Sequence, residues 1–561
     1  MPNTEMRNIP VVIAGGGPVG LMLALFLDFH GVRSVIFNSE RQARRHPKGS
    51  THNSRTMEHH RRLGNAPRIR DLCLPINNPT DVSYYTRLTG WELARIRMPS
   101  EAEKRRTREN AVATDQIVEP LLRANQMYVE GFLFEHVRTR PNITVRFSWS
   151  VTGFQEDGSG VTVETESEDG RDTWRAQYLV GCDGGRSLVR RALALRYNGF
   201  GSLDSPHYGG RQNATYFRAP TLFRDHLAHR VGWNYWMVNP KGRCTIISLN
   251  DPHEFLAFSK APDDIENPSD EDLIGVLFRA IGTELPISII ANWPWTAGVA
   301  LVAERFQTRR VVLAGDAVHL FTPTGGFGMN TGMDDASNLA WKLAALLQGW
   351  GGANLLQSYE IERKPIAHRN TLAAREFNKQ LANMPPIDAI DEDTPAGEAQ
   401  RRVLSAHLPS LNEEYAAIGV QIGARYDGSP IIVPDSAPPP DDYFNYAPSS
   451  VPGGRTPHFW LGEGRGYGDS LFDRLGRGFT LLRLGGKAAV TTSIEAEAKR
   501  RNIPLTVLDV PAADARDLYG CDLALVRPDQ YVAWRGNASP SDASQVWARV
   551  IGANSTQPRH A

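Results

Sequence analysis

VVIAGGGPVGLMLALFLDFHGVRSVIF, Val11–Phe37, is the stretch that decides the fold. Four apolar residues, three of them β-branched, make a short strand that stops at a glycine cluster. LMLALFLDFH then carries a helical period that ends at Gly31, a residue suited to a helix C-terminus. RSVIF (Arg33–Phe37) is the next strand, which completes a βαβ unit. Gly15, Gly17 and Gly20 form a GxGxxG turn, with Pro18 at the first helical position. After a strand and at the mouth of a helix, that turn predicts a dinucleotide site. The glycines let a pyrophosphate reach the backbone, and the helix N-terminus offers unpaired N–H groups. The acid expected at the end of the second strand is replaced by Asn38, with Glu40 two residues later, so this motif alone leaves the nucleotide open.

Further along, LAGDAVHLFTPTGGFGMNTGMDDASNLAWKL (Leu313–Leu343) repeats the logic of a buried strand running into glycines. The spacing predicts a strand over 309–315 and a helix over 331–347. Asp316 sits in the loop between them, among glycines 315, 325, 326, 328 and 332. A third stretch, LVGCDGGRSLVRRAL (Leu179–Leu193), is an apolar strand ending in Asp183-Gly184-Gly185-Arg186-Ser187.

The 561-residue chain has room for two or three domains. Its 62 basic and 62 acidic residues balance, which argues against recruitment by nucleic acid or membrane. Cys73, Cys182, Cys244 and Cys521 are scattered and form no CxxC. This predicts a reducing cytoplasm and neither a disulfide framework nor a metal site. The polar N-terminus does not read as a signal peptide, and no apolar run approaches the roughly 20 residues of a membrane helix.

The expected class is α/β: a Rossmann-like nucleotide domain, a mixed α+β substrate domain and a C-terminal domain. The nucleotide domain is expected over 1–185, with residues 75–110 lent to the substrate side, and again over 301–390. WNYWMVNPKGRCTIISLN (Trp233–Asn250) reads as two strands around a turn, within a mostly antiparallel substrate sheet over 186–300. Residues 391–454 are expected to be a linker, proline-rich from Pro434 to Gly454, before a last domain over 455–561.

The GxGxxG, DG and GD motifs in this order resemble the class A flavoprotein hydroxylases, the para-hydroxybenzoate and phenol hydroxylase family. Within that family the loop is most similar to the phenol and chlorophenol hydroxylases. The resemblance implies non-covalent FAD. It assigns Asp183, Gly184, Arg186, Gly315 and Asp316 to the nucleotide, and Pro323, Gly325, Gly326, Gly328, Met329 and Asn330 to the surroundings of the isoalloxazine. HNSRTMEHHRRLG (His52–Gly64) and ATDQIVEPLL (Ala113–Leu122) resemble two further family elements, which implies FAD contacts for Arg55 and Gln116. RTPHFWL, SLFDRLGRGFTLL and LVRPDQYVAWRG resemble the thioredoxin-like domain of the larger members. Cys521 alone cannot run dithiol chemistry there, so a structural or dimer-related role is expected, in a homodimer.

The implied reaction uses NADPH or NADH to reduce FAD, and O₂ to form a flavin hydroperoxide whose distal oxygen is attacked by a phenolate. The product type is an ortho-hydroxylated phenol, a catechol. The alternative is a tailoring hydroxylase for a larger, polyketide-like phenol. A non-catalytic nucleotide-binding scaffold is the rival from another class, and the intact fingerprints argue against it. The phenol needs a proton acceptor, for which His52, Tyr235 and Tyr216 are the candidates; the bland readings are an FAD-side histidine and two core aromatics. Arg41, Arg44 and Arg45 follow the second strand and are candidates for the 2′-phosphate of NADPH, or else form a solvated basic loop.

Overall fold

The computed structural model describes residues 6–553, apart from 44, 202–209, 262–266, 383, 384, 386, 487 and 488. Strand β1 (Arg7–Ala14) leads into helix α1 (Pro18–Phe29), and β2 (Ser34–Asn38) returns parallel to β1, with Ala14 opposite Phe37. The glycine pattern folds as read, and Gly31 takes the left-handed φ of 76° that ends the helix. On the other side of β1 lies a long strand, β3 (Gly170–Gly181), and β4 (Val311–Leu313) runs parallel to its last residues. Ala14, Asn38, Gly181 and Leu313 therefore end along one edge of the sheet, where ligands of open parallel sheets bind. Val11–Ile13, Val35, Ile36, Leu179 and Val180 are fully buried, which matches the continuous apolar runs of strands covered on both faces.

Two helices cross this sheet's edge. Helix α2 (Ser54–Arg62) starts at Asn53, whose side chain caps the Thr56 N–H. Helix α3 begins at Phe327 and runs to Leu347, four residues earlier than the sequence spacing predicts. The reason is local: Gly325 and Gly326 take left-handed conformations (φ 76° and 66°) that complete the loop by residue 326. A long helix, α4 (Gln357–Ala382), packs along α3.

The region expected to receive substrate folds as a seven-stranded sheet. Its order is Ser288–Ala297, Gly210–Arg218, Glu254–Lys260, Cys244–Ser248, Asn234–Met237, Val82–Tyr85 and Glu92–Ile96. All neighbours are antiparallel except the pair of Asn234–Met237 with Val82–Tyr85, and two strands from within residues 75–110 complete this sheet.

The region 391–454 departs from the expected linker. It carries helices at Pro395–His407, Glu413–Ala416 and Ile418–Ile422. Leu404, Leu408 and Leu411 are buried in one cluster with Trp236, Leu93 and Ile96 of the substrate sheet. Their i, i+4, i+7 spacing is an ordinary helical stripe that the proline content beyond residue 434 obscured. From Gly423 to Gly454 the chain has neither helix nor strand, only turns and bends.

The C-terminal domain is a four-stranded mixed sheet in the order Leu505–Val510, Phe479–Leu484, Leu523–Val526, Val532–Gly536. Its first pair is parallel and the others antiparallel. Helices Thr492–Arg500 and Ala543–Val550 supply Ile494, Trp547 and Val550 to a core shared with Trp341 of α3.

Candidate active site

A cavity of about 900 Å³ opens at the shared edge of the parallel strands and extends to the substrate sheet. Gly15, Gly17 and Pro18 line it from the GxGxxG turn, and Asn38 from the end of β2. Asp183, Gly184 and Arg186 line it beyond β3. Asp316, Pro323, Gly326, Gly328 and Met329 come from the loop that leads into α3. Four separate stretches of sequence thus converge on one cavity.

The remaining motif residues stand behind this wall and shape it. A Cβ on Gly20 would collide with the Gly15 carbonyl, so this glycine serves the packing of helix on turn. Gly315, at φ 65°, donates its N–H to Asp335 at 3.2 Å. Gly325 donates its N–H to Glu414 at 2.9 Å. Asn330 ties the loop to the strand before α2: its amide donates to the Thr51 and Gly326 carbonyls at 2.9 and 2.6 Å, and its oxygen accepts from the Asn53 N–H. The carbonyl of Asp316 accepts from the Tyr197 hydroxyl, which itself accepts from Arg190 at 2.6 Å. The backbone of the GD turn is held, and the Asp316 side chain is left exposed in the cavity.

The cavity end of this wall fits a dinucleotide. Where a Cβ would stand on Gly17 or Gly184, no atom lies within 4 Å, although both residues line the cavity. Asp183 Oδ2 accepts the Val189 N–H, while its buried Oδ1 has no protein partner. Neither α1 nor α3 has a side-chain cap at its N-terminus, so both present unpaired N–H groups and positive dipole ends here. This is the donor set for a pyrophosphate and for a ring that gains negative charge on reduction.

The opposite end is aromatic. Trp293 and Trp295 are two residues apart on one strand and so face the same side, with Phe258 and Ala214 beside them. His46 stacks on Trp293 with ring centroids 3.4 Å apart. Glu130 and Gln126, hydrogen-bonded to each other, line the same cavity. The alternation of Trp293 and Trp295 was visible in the sequence; the part of His46 was not, because it depends on a contact between the two halves of the molecule.

The three candidate bases lie elsewhere. Thr51 and His52 are neighbours in a strand, so their side chains take opposite faces. Thr51 lines the cavity, and the fully buried His52 faces His60, at a ring separation of 6.3 Å. Burial pushes His52 down to about 4, against a raising contribution from the Ala124 backbone, and neither ring nitrogen has a hydrogen-bond partner meeting ordinary geometry. Tyr235 is buried on the far face of its sheet, its hydroxyl accepting from the Gly232 N–H at 2.8 Å and donating to the Gly232 carbonyl at 3.1 Å. Tyr216 shares the face of Ala214, but its hydroxyl donates to Glu254 outside the cavity wall. Burial, then that carboxylate, raises its phenol well above the ordinary value.

His52→Phe is accordingly expected to leave any pH dependence of turnover unchanged. The sign of its stability effect follows from the lowered pKa. The unfolded chain takes up the proton below about pH 6.5, and the folded one only near 4, so wild-type stability falls across that window. The substitution removes this loss, and urea unfolding at pH 5 against pH 7.5 measures it. A wild-type acid slope retained in the variant would place the titration elsewhere.

Two expected cofactor contacts also fall away from the cavity. Arg55 is buried behind α3, donating to Glu58, to Gln530 and to the Asp529 carbonyl at 2.7–2.8 Å. Gln116 exchanges hydrogen bonds with the backbone of His458 at 2.9 and 3.0 Å. Both join the nucleotide domain to the C-terminal domain. Arg41 and Arg45 are exposed in the loop whose Gln42, Ala43 and Lys48 line the cavity, and Arg44 lies outside the described residues.

Glu414 falls in the stretch read as linker, and no local signal marked it. Burial raises its carboxyl to about 7, against the pull of the Gly325 N–H and of Arg123. Arg123 is itself buried, stacked on Trp233 at 3.8 Å and donating to the Thr51 hydroxyl. The glycine loop is thus gripped from behind by a carboxyl and, through Thr51, by a guanidinium.

Among the described residues no helix is long and apolar enough to cross a membrane, and no group of three or more His, Cys, Asp or Glu side chains is placed to hold a metal.

Residues 8–374 match the FAD binding domain family, and residues 449–554 match the C-terminal domain of aromatic-ring hydroxylases. The FAD-dependent monooxygenase apdD of Emericella nidulans is 32% identical, over 99% of this chain and 92% of that protein. The 2,4-dichlorophenol 6-monooxygenase of Cupriavidus pinatubonensis is 30% identical, over 97% of this chain and 96% of its own. The rebeccamycin biosynthetic enzyme RebC, solved with reduced flavin, superposes with a TM-score of 0.86 at 29% identity, covering 98% of this chain and all of the other. With both domain matches in register with the cavity and its flanking module, this chain belongs to the FAD-binding aromatic-ring hydroxylases and is a flavin-dependent aromatic monooxygenase.

Proposed function

We propose that the chain hydroxylates a phenolic ring, ortho to its hydroxyl, with NAD(P)H as reductant. One observation carries this reading: a single cavity joins the dinucleotide end at Gly17 and Asp183 to the aromatic wall of Trp293, Trp295 and Phe258. FAD bound there supplies oxygen activation and transfer of one oxygen atom. Gly15, Gly17, Gly184 and Arg186 would hold its pyrophosphate and ribose portions, with Asp316 at the ribityl chain. The loop from Pro323 to Met329 and the N-terminus of α3 would face its ring.

The chain's own part is to orient the phenol on the aromatic wall, keep water out and take the phenol proton. His46 supplies an imidazole against Trp293, and we assign it that last role in place of His52. Exposed Arg41 and Arg45 border the cleft and suit the phosphate of NADPH. The strand order of the C-terminal sheet, βαβ followed by ββα, supports a thioredoxin-like arrangement used as a packing module rather than a redox one.

A second reading concerns substrate size. The breadth of the aromatic wall, with the likeness to an enzyme of rebeccamycin biosynthesis, favours a polycyclic phenol over phenol itself. NADPH oxidation by the purified protein, with a panel of simple and fused-ring phenols and with H₂O₂ detection, tests both. Oxidation accelerated by a fused-ring phenol with little peroxide supports the larger substrate, and the same result with a simple phenol supports the smaller. Asp316→Ala is expected to release FAD and abolish turnover; a variant that stays yellow and active would remove Asp316 from the site.

A further inference from the structure

Besides packing on Trp341, the C-terminal domain reaches the cavity's supporting helix through the polar side chains of one tight turn, Arg527-Pro528-Asp529-Gln530, between its last two strands. Gln530 holds a left-handed φ of 68°, uncommon for a residue with a side chain, and all of the turn's polar side chains are buried. Gln530 Oε1 and the Asp529 carbonyl accept from Arg55 at 2.8 and 2.7 Å. Arg55 Nε donates to Asp334 of α3 at 3.4 Å. Asp334 also accepts from Arg363, which donates to Asp335 at 2.7 Å. Asp335 accepts the N–H of Gly315, the residue before Asp316 in the cavity wall. A second link is direct: Asn338, one turn further along α3, donates to Asp529 at 3.1 Å. The chain of contacts from the turn to the cavity wall is unbroken and lies in a region where such bonds are strong.

We propose that the Arg527–Gln530 turn is a positioning element of the FAD site, acting through Arg55 on α3 and on the Gly315–Asp316 turn. This gives the C-terminal domain a part in flavin binding without any contact to the flavin. It rests on FAD occupying the cavity as described above.

Gln530→Asn shortens the acceptor while suiting the left-handed backbone, and Gln530→Leu removes it. Gln530→Glu keeps an acceptor for Arg55. Val546→Ala, in the C-terminal core away from the turn, serves as a control for general loss of stability. FAD dissociation constants, flavin midpoint potentials and thermal midpoints are measured for each. Gln530→Asn and Gln530→Leu are expected to weaken FAD binding roughly tenfold and to shift the midpoint potential. Gln530→Glu stays within about twofold of wild type. Val546→Ala lowers the thermal midpoint and leaves affinity and potential alone. Wild-type FAD affinity in both Gln530→Asn and Gln530→Leu overturns the proposal, as does an equal loss of affinity in Val546→Ala. Wild-type protein that binds no FAD overturns the cavity's occupancy instead.

Discussion

Arg363→Met is expected to destabilise the protein by about 3–5 kcal/mol, the usual consequence of removing one partner from a buried ion pair. Arg363, in α4, is fully buried. Its guanidinium donates to Asp335 at 2.7 Å, to Asp334, to the Tyr426 hydroxyl at 3.2 Å and to the Thr331 carbonyl at 3.1 Å. Methionine fills a similar volume and leaves the buried carboxylates of Asp334 and Asp335 with one strong cation fewer. A lysine cannot repair this, because a single ammonium does not span the fork that engages both carboxylates. Urea unfolding of wild type, Arg363→Met and Arg363→Lys measures the loss. A difference below about 1 kcal/mol would show that the network is not held by this residue.

The acid limb of the stability curve should change with it. Burial would raise Asp334 and Asp335; the Arg363 guanidinium outweighs it, helped at Asp334 by His59 and Arg55 and at Asp335 by His319. Both carboxyls are held below the ordinary carboxylate range. Their contribution is therefore present above about pH 4 and is lost as pH falls through the folded values. In Arg363→Met the folded values rise, so the loss begins at higher pH. Asp334→Asn added to Arg363→Met removes one of the stranded charges and should recover part of the stability, a non-additivity that a double-mutant cycle detects.

What the sequence made legible was the backbone. GxGxxG, DG and GD are devices a few residues long, each needing a turn or a close approach that glycine permits, and each lies on the cavity where the strand ends bring it. Side-chain direction was less accessible. Thr51 and His52 differ by one position and face opposite ways, which only the strand pairing with Leu122 and Arg123 reveals. Arg55 and Gln116 occupy familiar motif positions, yet their side chains reach Asp529, Gln530 and His458, hundreds of residues away. Glu414 and Arg363 carry no motif at all: their roles arise from charges brought together by packing. Local pattern announces what a turn must do, and says little about which distant group will meet a long side chain.

Gly17 separates fold from cofactor more cleanly than any other position in the site. Its φ of −77° and ψ of −177° are extended backbone that a β-branched residue adopts without strain. No protein atom lies within 4 Å of where its Cβ would stand. Gly15 is the contrast: its φ is +109°, and a Cβ there would collide with the Cys182 carbonyl. Gly17→Val should therefore fold with a loss of no more than about 1 kcal/mol, the scale of an exposed helix-cap change. FAD would meet two methyl groups where its pyrophosphate approaches the start of α1. Charge-assisted hydrogen bonds are each worth about 1.5–3 kcal/mol, so displacing the pyrophosphate from two of them weakens binding by about a hundredfold or more. Flavin fluorescence titration against circular dichroism of the same samples makes the comparison. Gly15→Val should lose the native spectrum as well as FAD, whereas Gly17→Val should lose FAD alone. Tight, yellow, fully loaded Gly17→Val would mean that the pyrophosphate does not lie against this turn, and the assignment of α1 as its binding helix would fall with it.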